Sequence, residues 1–473
     1  MGHPELMGEE IVIHRNNDNW NSKCDSQMRG TNRRPLIMGA RWLVSIVLVA
    51  GVAFAMCGCG ARSSLPVPPL DPNAIAYTSN RALDGSDNGG TPKNIWVINP
   101  NGTGSQPLTQ LTASEADSIE PVWSPNGGTQ IAFASFRAVD GSDEPNGAGN
   151  IWVSNLQADG TINANSSGSQ PLTQFTLDGV SRTQPTWSPD GTQIAFRSDM
   201  DPHGTGLSTN DTVNIWVVSA DGTKVQALTK LTALGADSIE PAWSPKGTQI
   251  AFASRRAFDP LKDQANTNNT LNIWVMNADG SQPKALTQFI PTDMDAPSFD
   301  PVWSPKGTEI AFASAIPVAG GNKANPVSNI WVVNPDGSNL KSLTNSIVAN
   351  SRDPVWSPDG TQIAFASNLA FDASTAANPT NNIWVMNADG SKAHALTQLR
   401  AAENHEPVWS PNGAIAFLSN RALDGSDEPI TGVFNIWVIN ADGSGHPSHL
   451  TQLTHASCFT LSQRGALPAP FFF

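Results

Sequence analysis

The chain has 473 residues, of which 39% are apolar and 14% charged, and its formal net charge is −14. That length can enclose a large core, and the acidic balance argues against a nucleic-acid backbone as the partner. Low charge combined with 39 Gly and 36 Pro suits a turn-rich all-β protein.

Residues 1–37 carry no β pattern. Leu43–Met56 is a continuous apolar run, preceded by Arg29, Arg33, Arg34 and Arg41 with no acid between them. A basic stretch followed by a short apolar one reads as a signal peptide, and the run is too short to span a membrane. Met28 and Met38 would each start a leader of ordinary length. Met56-Cys57-Gly58-Cys59 is similar to a bacterial lipobox, with Cys59 as the lipidated residue. The alternative is ordinary cleavage to a periplasmic protein. The expected division is a leader over 1–58, a Ser/Pro-rich tether over 59–65, a repeat domain over 66–465 and a tail over 466–473. Cys24 and Cys57 fall in the leader, which leaves Cys458 alone and no disulfide framework.

From residue 66 the chain repeats one unit, clearest over Asp353–Leu399. Asp353-Pro354-Val355-Trp356 is a short apolar run ending in the tight turn Ser357-Pro358-Asp359-Gly360. Ile363-Ala364-Phe365-Ala366 is a second strand. A long polar loop leads to Asn382-Ile383-Trp384-Val385-Met386, a third strand. Asn387-Ala388-Asp389-Gly390 is a second tight turn, after which Ala395-Leu396-Thr397 is expected to begin a fourth strand. The third strand is apolar on both faces and needs cover on both, which a stacked neighbouring copy supplies. Four-stranded units that must stack predict a β-propeller.

Asn-Ile-Trp-Val recurs seven times, at Trp96, Trp152, Trp216, Trp274, Trp331, Trp384 and Trp437. The Ile-Ala-aromatic marker and the Leu-Thr marker also occur seven times. Trp-Ser-Pro occurs six times, at Trp123, Trp187, Trp243, Trp303, Trp356 and Trp409. The missing first strand is assigned to the faded copy Thr460–Gly465, closing the ring with the C-terminus; Leu65–Leu70 is the rival source. The expected fold is therefore all-β, a seven-bladed β-propeller of four-stranded antiparallel blades.

Both tight turns fall on one face. The other face receives the long loops between strands two and three, and the crossings between blades. Trp-Ser-Pro markers are 53 to 64 residues apart, against roughly 40–45 for a compact blade. The surplus lies in those loops, where binding is usually built. Just before the Pro that opens each first strand stand Glu120, Gln184, Glu240, Asp300, Asp353 and Glu406. By symmetry they form a ring at the channel mouth. One reading is that they anchor the chain by accepting backbone N–H groups; the other is a negative funnel that binds a basic peptide or a cation. Asp84, Asp87, Asp140, Asp143, Asp424 and Asp427 recur as Asp-Gly-Ser-Asp in the long loops and are calcium candidates, without the spacing of a known calcium loop. No other cofactor is expected.

His203, His394, His405, His446, His449 and His455 do not recur across blades. No nucleophile elbow or phosphate loop is present. Arg81, Arg137, Arg255, Arg256 and Arg421 lie near the long-loop face, which keeps a sugar site open. The unit, Pro-x-Trp-Ser-Pro-Asp-Gly-x-x-Ile-Ala-Phe through Asn-Ile-Trp-Val-Met-Asn-Ala-Asp-Gly to Leu-Thr, resembles the TolB-type, WD40-like (PD40) propeller repeat. The resemblance covers about residues 66–465 and implies a propeller of the bacterial cell envelope. It also implies kinship with propellers that stand beside serine peptidase domains and with oligogalacturonate lyases. The expected function is a non-catalytic, monomeric scaffold on the periplasmic side. It touches the membrane only through its lipid anchor and binds a protein or peptide at its long-loop face; a carbohydrate-binding or carbohydrate-active propeller is the alternative.

Overall fold

Every copy of the unit becomes one antiparallel four-stranded sheet, and there are seven such sheets. The computed structural model describes residues 70–463, apart from residues 85, 87–89, 91, 126, 158–167, 177–178, 180, 204–205, 208–209, 260–261, 267–268, 289–296, 320–326, 372–376, 445–446 and 452–457. The leader, Cys59, the tether and the tail lie outside the described residues. The innermost strands are Ser118–Trp123, Arg182–Trp187, Ser238–Trp243, Ser298–Trp303, Ser351–Trp356, Asn404–Trp409 and Cys458–Gln463. Each contacts the next around a closed circle.

Closure uses the C-terminus. Cys458–Gln463 pairs antiparallel with Ile75–Ser79 and completes the first blade. The Thr78 and Thr460 hydroxyls meet at 2.8 Å, and the Trp123 backbone N–H donates to Ser462 Oγ at 3.3 Å, tying the closing strand to blade 2. Without that strand, Ile75–Ser79 would be the exposed edge of a three-stranded blade.

The recurrent residues have separate structural jobs. The first-strand Trp donates its indole N–H to the preceding blade's inner strand: Trp187 to the Val122 carbonyl at 3.2 Å, Trp243 to Thr186 at 3.2 Å, Trp303 to Ala242 at 3.0 Å and Trp409 to Val355 at 3.1 Å. This bond needs a neighbouring blade, so the marker encodes stacking. The third-strand Asn and the Thr of Leu-Thr form a buried lock. In blade 6 the Thr397 hydroxyl donates to Asn382 Oδ1 at 3.0 Å and accepts the Ile383 N–H at 2.9 Å. The Asn382 carboxamide also binds the Leu399 N–H and carbonyl. One side chain thereby satisfies the backbone where the chain leaves the blade.

Leu-Thr does not begin the fourth strand, as its sequence position suggests. That strand is only His394–Ala395 in blade 6, and Leu396 and Thr397 follow it, both N–H groups bonding to the Ile383 carbonyl.

The third strands are buried along nearly their whole length, as their two-sided apolar pattern requires. Their neighbours on both sides are residues of the flanking blades, so the hydrophobic core is divided between the blades around the ring. Both tight turns form. The second packs against the preceding blade: at Gly280, with φ +84°, a Cβ would lie 2.7 Å from the Leu228 carbonyl oxygen.

Candidate functional site: the channel mouth

The six expected ring residues come together, but inside the inner strands and not ahead of them. Each occupies a β-bulge, for example between Ile119 and Val122 opposite Ala134 and Ala132. Glu120, Gln184, Glu240, Asp300, Asp353 and Glu406 all adopt left-handed backbone, with φ between 52° and 59°. A non-glycine residue there is uncommon and carries strain. What offsets it is a bond to the next blade. The Gln184 N–H donates to Glu120 Oε2, the Glu240 N–H to Gln184 Oε1 at 3.1 Å, the Asp300 N–H to Glu240 Oε2 at 2.7 Å and the Glu406 N–H to Asp353 Oδ2 at 3.4 Å. Glu120 in turn donates its N–H to Thr78 Oγ1 at 3.2 Å. The bulge turns the N–H groups of Gln184, Glu240, Asp300 and Glu406 toward the preceding blade's side chain, so the ring is a hydrogen-bonded belt in the channel wall from Glu120 to Asp300 and again from Asp353 to Glu406. Thr460 takes the equivalent place in blade 1.

The belt is buried, with Glu406 alone partly exposed. Burial pushes Glu120 up to about 7, against the opposing effects of the Gln184 N–H, Arg197 and Lys93. Burial also raises Glu240, Asp353 and Glu406. Asp300 is raised well above the usual carboxylate range by burial and by the neighbouring Glu240 and Asp353. Five crowded carboxyls out of water cannot all hold a full charge near neutrality. The belt is thus less negative than a count of acids implies.

One residue before each belt position is a row that the sequence reading passed over. It holds Ile119, Thr183, Ile239, Phe299, Arg352 and His405. Arg352 is exposed, and the others except Thr183 are half-buried. Across from Thr183 on the second strand stands Arg197, whose Nε donates to Thr183 Oγ1 at 2.7 Å. His405 packs against Phe434, ring centroids 4.6 Å apart, and burial lowers its pKa to about 4, so its imidazole is neutral. Aligning the seven units on the belt residue isolates Arg197 and Arg352, because both depart from the residue type the other blades use. That internal alignment was the available signal.

The arginines expected near the long loops are spent elsewhere. Arg81, Arg137, Arg256 and Arg421 lie over the third-strand rings of Trp96, Trp152, Trp274 and Trp437, at 4.9, 3.9, 5.1 and 4.8 Å from the centroids. Arg255 pairs with Asp237 at 3.2 Å. These are contacts within blades, and only the tertiary packing shows it.

The Asp-Gly-Ser-Asp carboxylates bind backbone. Asp84, Asp140 and Asp424 each accept the N–H of the serine two residues on, at 2.8 Å. Asp143 accepts the N–H groups of Thr112 and Ala113; Asp427 accepts those of Arg400, Ala401 and Ala402. Asp143 and Asp427 therefore tie the long loops of blades 2 and 7 to the crossing from the preceding blade. Asp87 lies outside the described residues. Among the described residues no group of three or more His, Cys, Asp or Glu is placed to hold a metal ion.

No protein-family model matches the chain. A TolB homologue of Chlorobium luteolum is 30% identical over 156 residues, covering 32% of this chain and 27% of that protein. The repeat is TolB-like. The TolB-like propeller is also 26% identical over 236 residues to the uncharacterized peptidase YuxL of Bacillus subtilis, covering 44% of this chain and 32% of that protein. It thus spans about a third or less of the length of these two relatives. Among solved structures, an oligogalacturonate lyase in complex with manganese matches with a TM-score of 0.50 at 13% identity, over 79% of this chain and 93% of that one. At that identity the likeness concerns the fold alone.

Proposed function

We propose that this TolB-like propeller is a non-catalytic scaffold of the bacterial cell envelope that binds a protein or peptide through its long-loop face and channel mouth. One observation carries the reading. Among the described residues, five large hydrophobic side chains are exposed, and four of them, Leu207, Leu234, Ile347 and Val348, lie on the long-loop face. Leu234, Ile347 and Val348 sit in blade-to-blade crossings, and Leu207 in a loop between second and third strands. Apolar side chains left in water on one face of a rigid platform favour protein contact. The belt residues Glu120, Gln184, Glu240, Asp300, Asp353 and Glu406 contribute by holding the mouth in shape. The leader and Cys59 support placement on the periplasmic side through a lipid anchor.

The second reading is a carbohydrate-binding or carbohydrate-active propeller. Arg197, Arg352 and His405 favour it, since they are polar groups near one channel. The peptidase and lyase relatives are consistent with catalysis on related chains.

The test is a pull-down from envelope extract with the mature protein. The wild type is compared with a Leu234→Ser, Ile347→Ser, Val348→Ser variant of equal melting temperature. A protein recovered by the wild type and lost by the variant supports the scaffold. Recovery by both, or by neither together with a positive glycan screen, refutes it.

A further inference from the structure

We infer that the channel mouth recognises an acidic peptide segment, whose carboxylates pair with Arg197 and Arg352. This rests on the scaffold reading and specifies the chemistry of its partner.

The repeat itself supplies the control. At the second-strand position of Arg197 the other blades place Thr78, Ala134, Ala253, Ala313, Ala366 and Leu418. At the inner-strand position of Arg352 the described blades place Ile119, Thr183, Ile239, Phe299 and His405. Five blades close without an arginine at either position, so blade packing does not require these two.

The two guanidinium groups are prepared in different ways. Thr183 holds Arg197 by its Nε, which fixes the plane of the guanidinium and leaves its terminal nitrogens with no protein acceptor among the described residues. The Arg352 side chain is exposed and makes no hydrogen bond or ion pair among the described residues. They belong to blades 3 and 6, across the channel from one another. Arg197 acts electrostatically on Glu120 and Glu240, and Arg352 on Asp300, Asp353 and His405. Both therefore reach the same buried belt from different sides.

The sign of the mouth follows. The belt carboxyls are buried, Glu406 partly, those of Glu120, Glu240 and Asp353 accept backbone N–H groups, and burial raises all five. Of the belt and the row beside it, the fully exposed charged side chain is Arg352. A partner carrying carboxylates meets two guanidiniums in a geometry suited to planar anions. A basic segment would meet those same cations first. Between the arginines the described row holds Ile239 and Phe299 on one side, and His405 and Ile119 on the other. Together with Leu234 and Val348 on the same face, this suits peptide side chains better than the hydroxyl-rich faces of a sugar.

Calorimetric titration of the whole propeller tests the inference. The probes are an oligoglutamate peptide, an oligolysine peptide of equal length and an oligogalacturonate. The expected result is binding of oligoglutamate that weakens with salt. Affinity should fall roughly tenfold or more in Arg352→Gln and again in Arg197→Gln. Thr183→Val should weaken binding less, because it frees the Arg197 head without removing its charge. Preference for oligolysine, binding of oligogalacturonate alone, equal affinity in Arg352→Gln, or no binding would each overturn the inference. Arg352 is exposed, so its variant should fold normally. The two proposals fail separately. A partner lost through the Leu234, Ile347 and Val348 changes but indifferent to Arg352→Gln overturns only the carboxylate inference. Oligoglutamate binding with no partner in the pull-down overturns only the scaffold.

Discussion

Glu120→Gln should stabilise the propeller at alkaline pH and leave it nearly unchanged in acid. Glu120 is 3% exposed, and burial moves its pKa from 4.5 to about 7. A carboxyl raised in the folded state binds its proton more tightly there than in the unfolded chain. Its contribution is fully present below about 4.5 and is lost as pH rises through about 7. That interval corresponds to about 3 kcal/mol by the linkage relation. Glutamine keeps the acceptor oxygen for the Gln184 N–H and removes the titration. The protein already contains this solution, since Gln184 occupies the same left-handed bulge and accepts the Glu240 N–H at 3.1 Å. The effect of the Gln184 N–H on the carboxylate is already contained in that value, so the net expectation is a gain of about 3 kcal/mol at pH 8 and little change near pH 4. Urea unfolding across that range measures it. A difference between variant and wild type that does not vary with pH would refute the reasoning, because it would mean that folding leaves the affinity of Glu120 for its proton unchanged.

Arg137→Met should change stability by less than about 1 kcal/mol, because Met200, Ile316 and Leu369 hold the equivalent place in other blades; Arg137→Ala should cost about 2 kcal/mol or more through the uncovered face of Trp152. Gly280→Ala should destabilise by about 1–3 kcal/mol, since φ is +84° and the new Cβ would meet the Leu228 carbonyl at 2.7 Å. Thermal melting should be the same in calcium and in chelator, because Asp143 and Asp427 are committed to backbone N–H groups; a clear rise with calcium would show that the long loops bind it.

Much of the architecture was legible locally. Ser-Pro-Asp-Gly and Asn-Ala-Asp-Gly specify their turns through residues no more than four apart, and Asn-Ile-Trp-Val marks a strand that must be covered on both faces. Counting those markers counts blades. The site was less legible. The belt positions could be found, because each stands before a Pro in a repeated frame. Their burial could not, because it depends on the bulge and on the side chain of a residue 53 to 64 positions earlier, such as Glu240 for Asp300.

The sequence by itself determined the number of units, their strands and turns, and the face on which the long loops gather. These follow from short-range turn chemistry and periodicity. Only the tertiary structure decided the use of each charged group. It laid Arg137 on Trp152, bonded Glu120 to the next blade and left Arg197 and Arg352 at the mouth. An ionisable side chain takes its role from its surroundings, and in a closed ring those surroundings come from distant parts of the chain. The contact between Thr78 and Thr460, 382 residues apart, exists only because the circle closes.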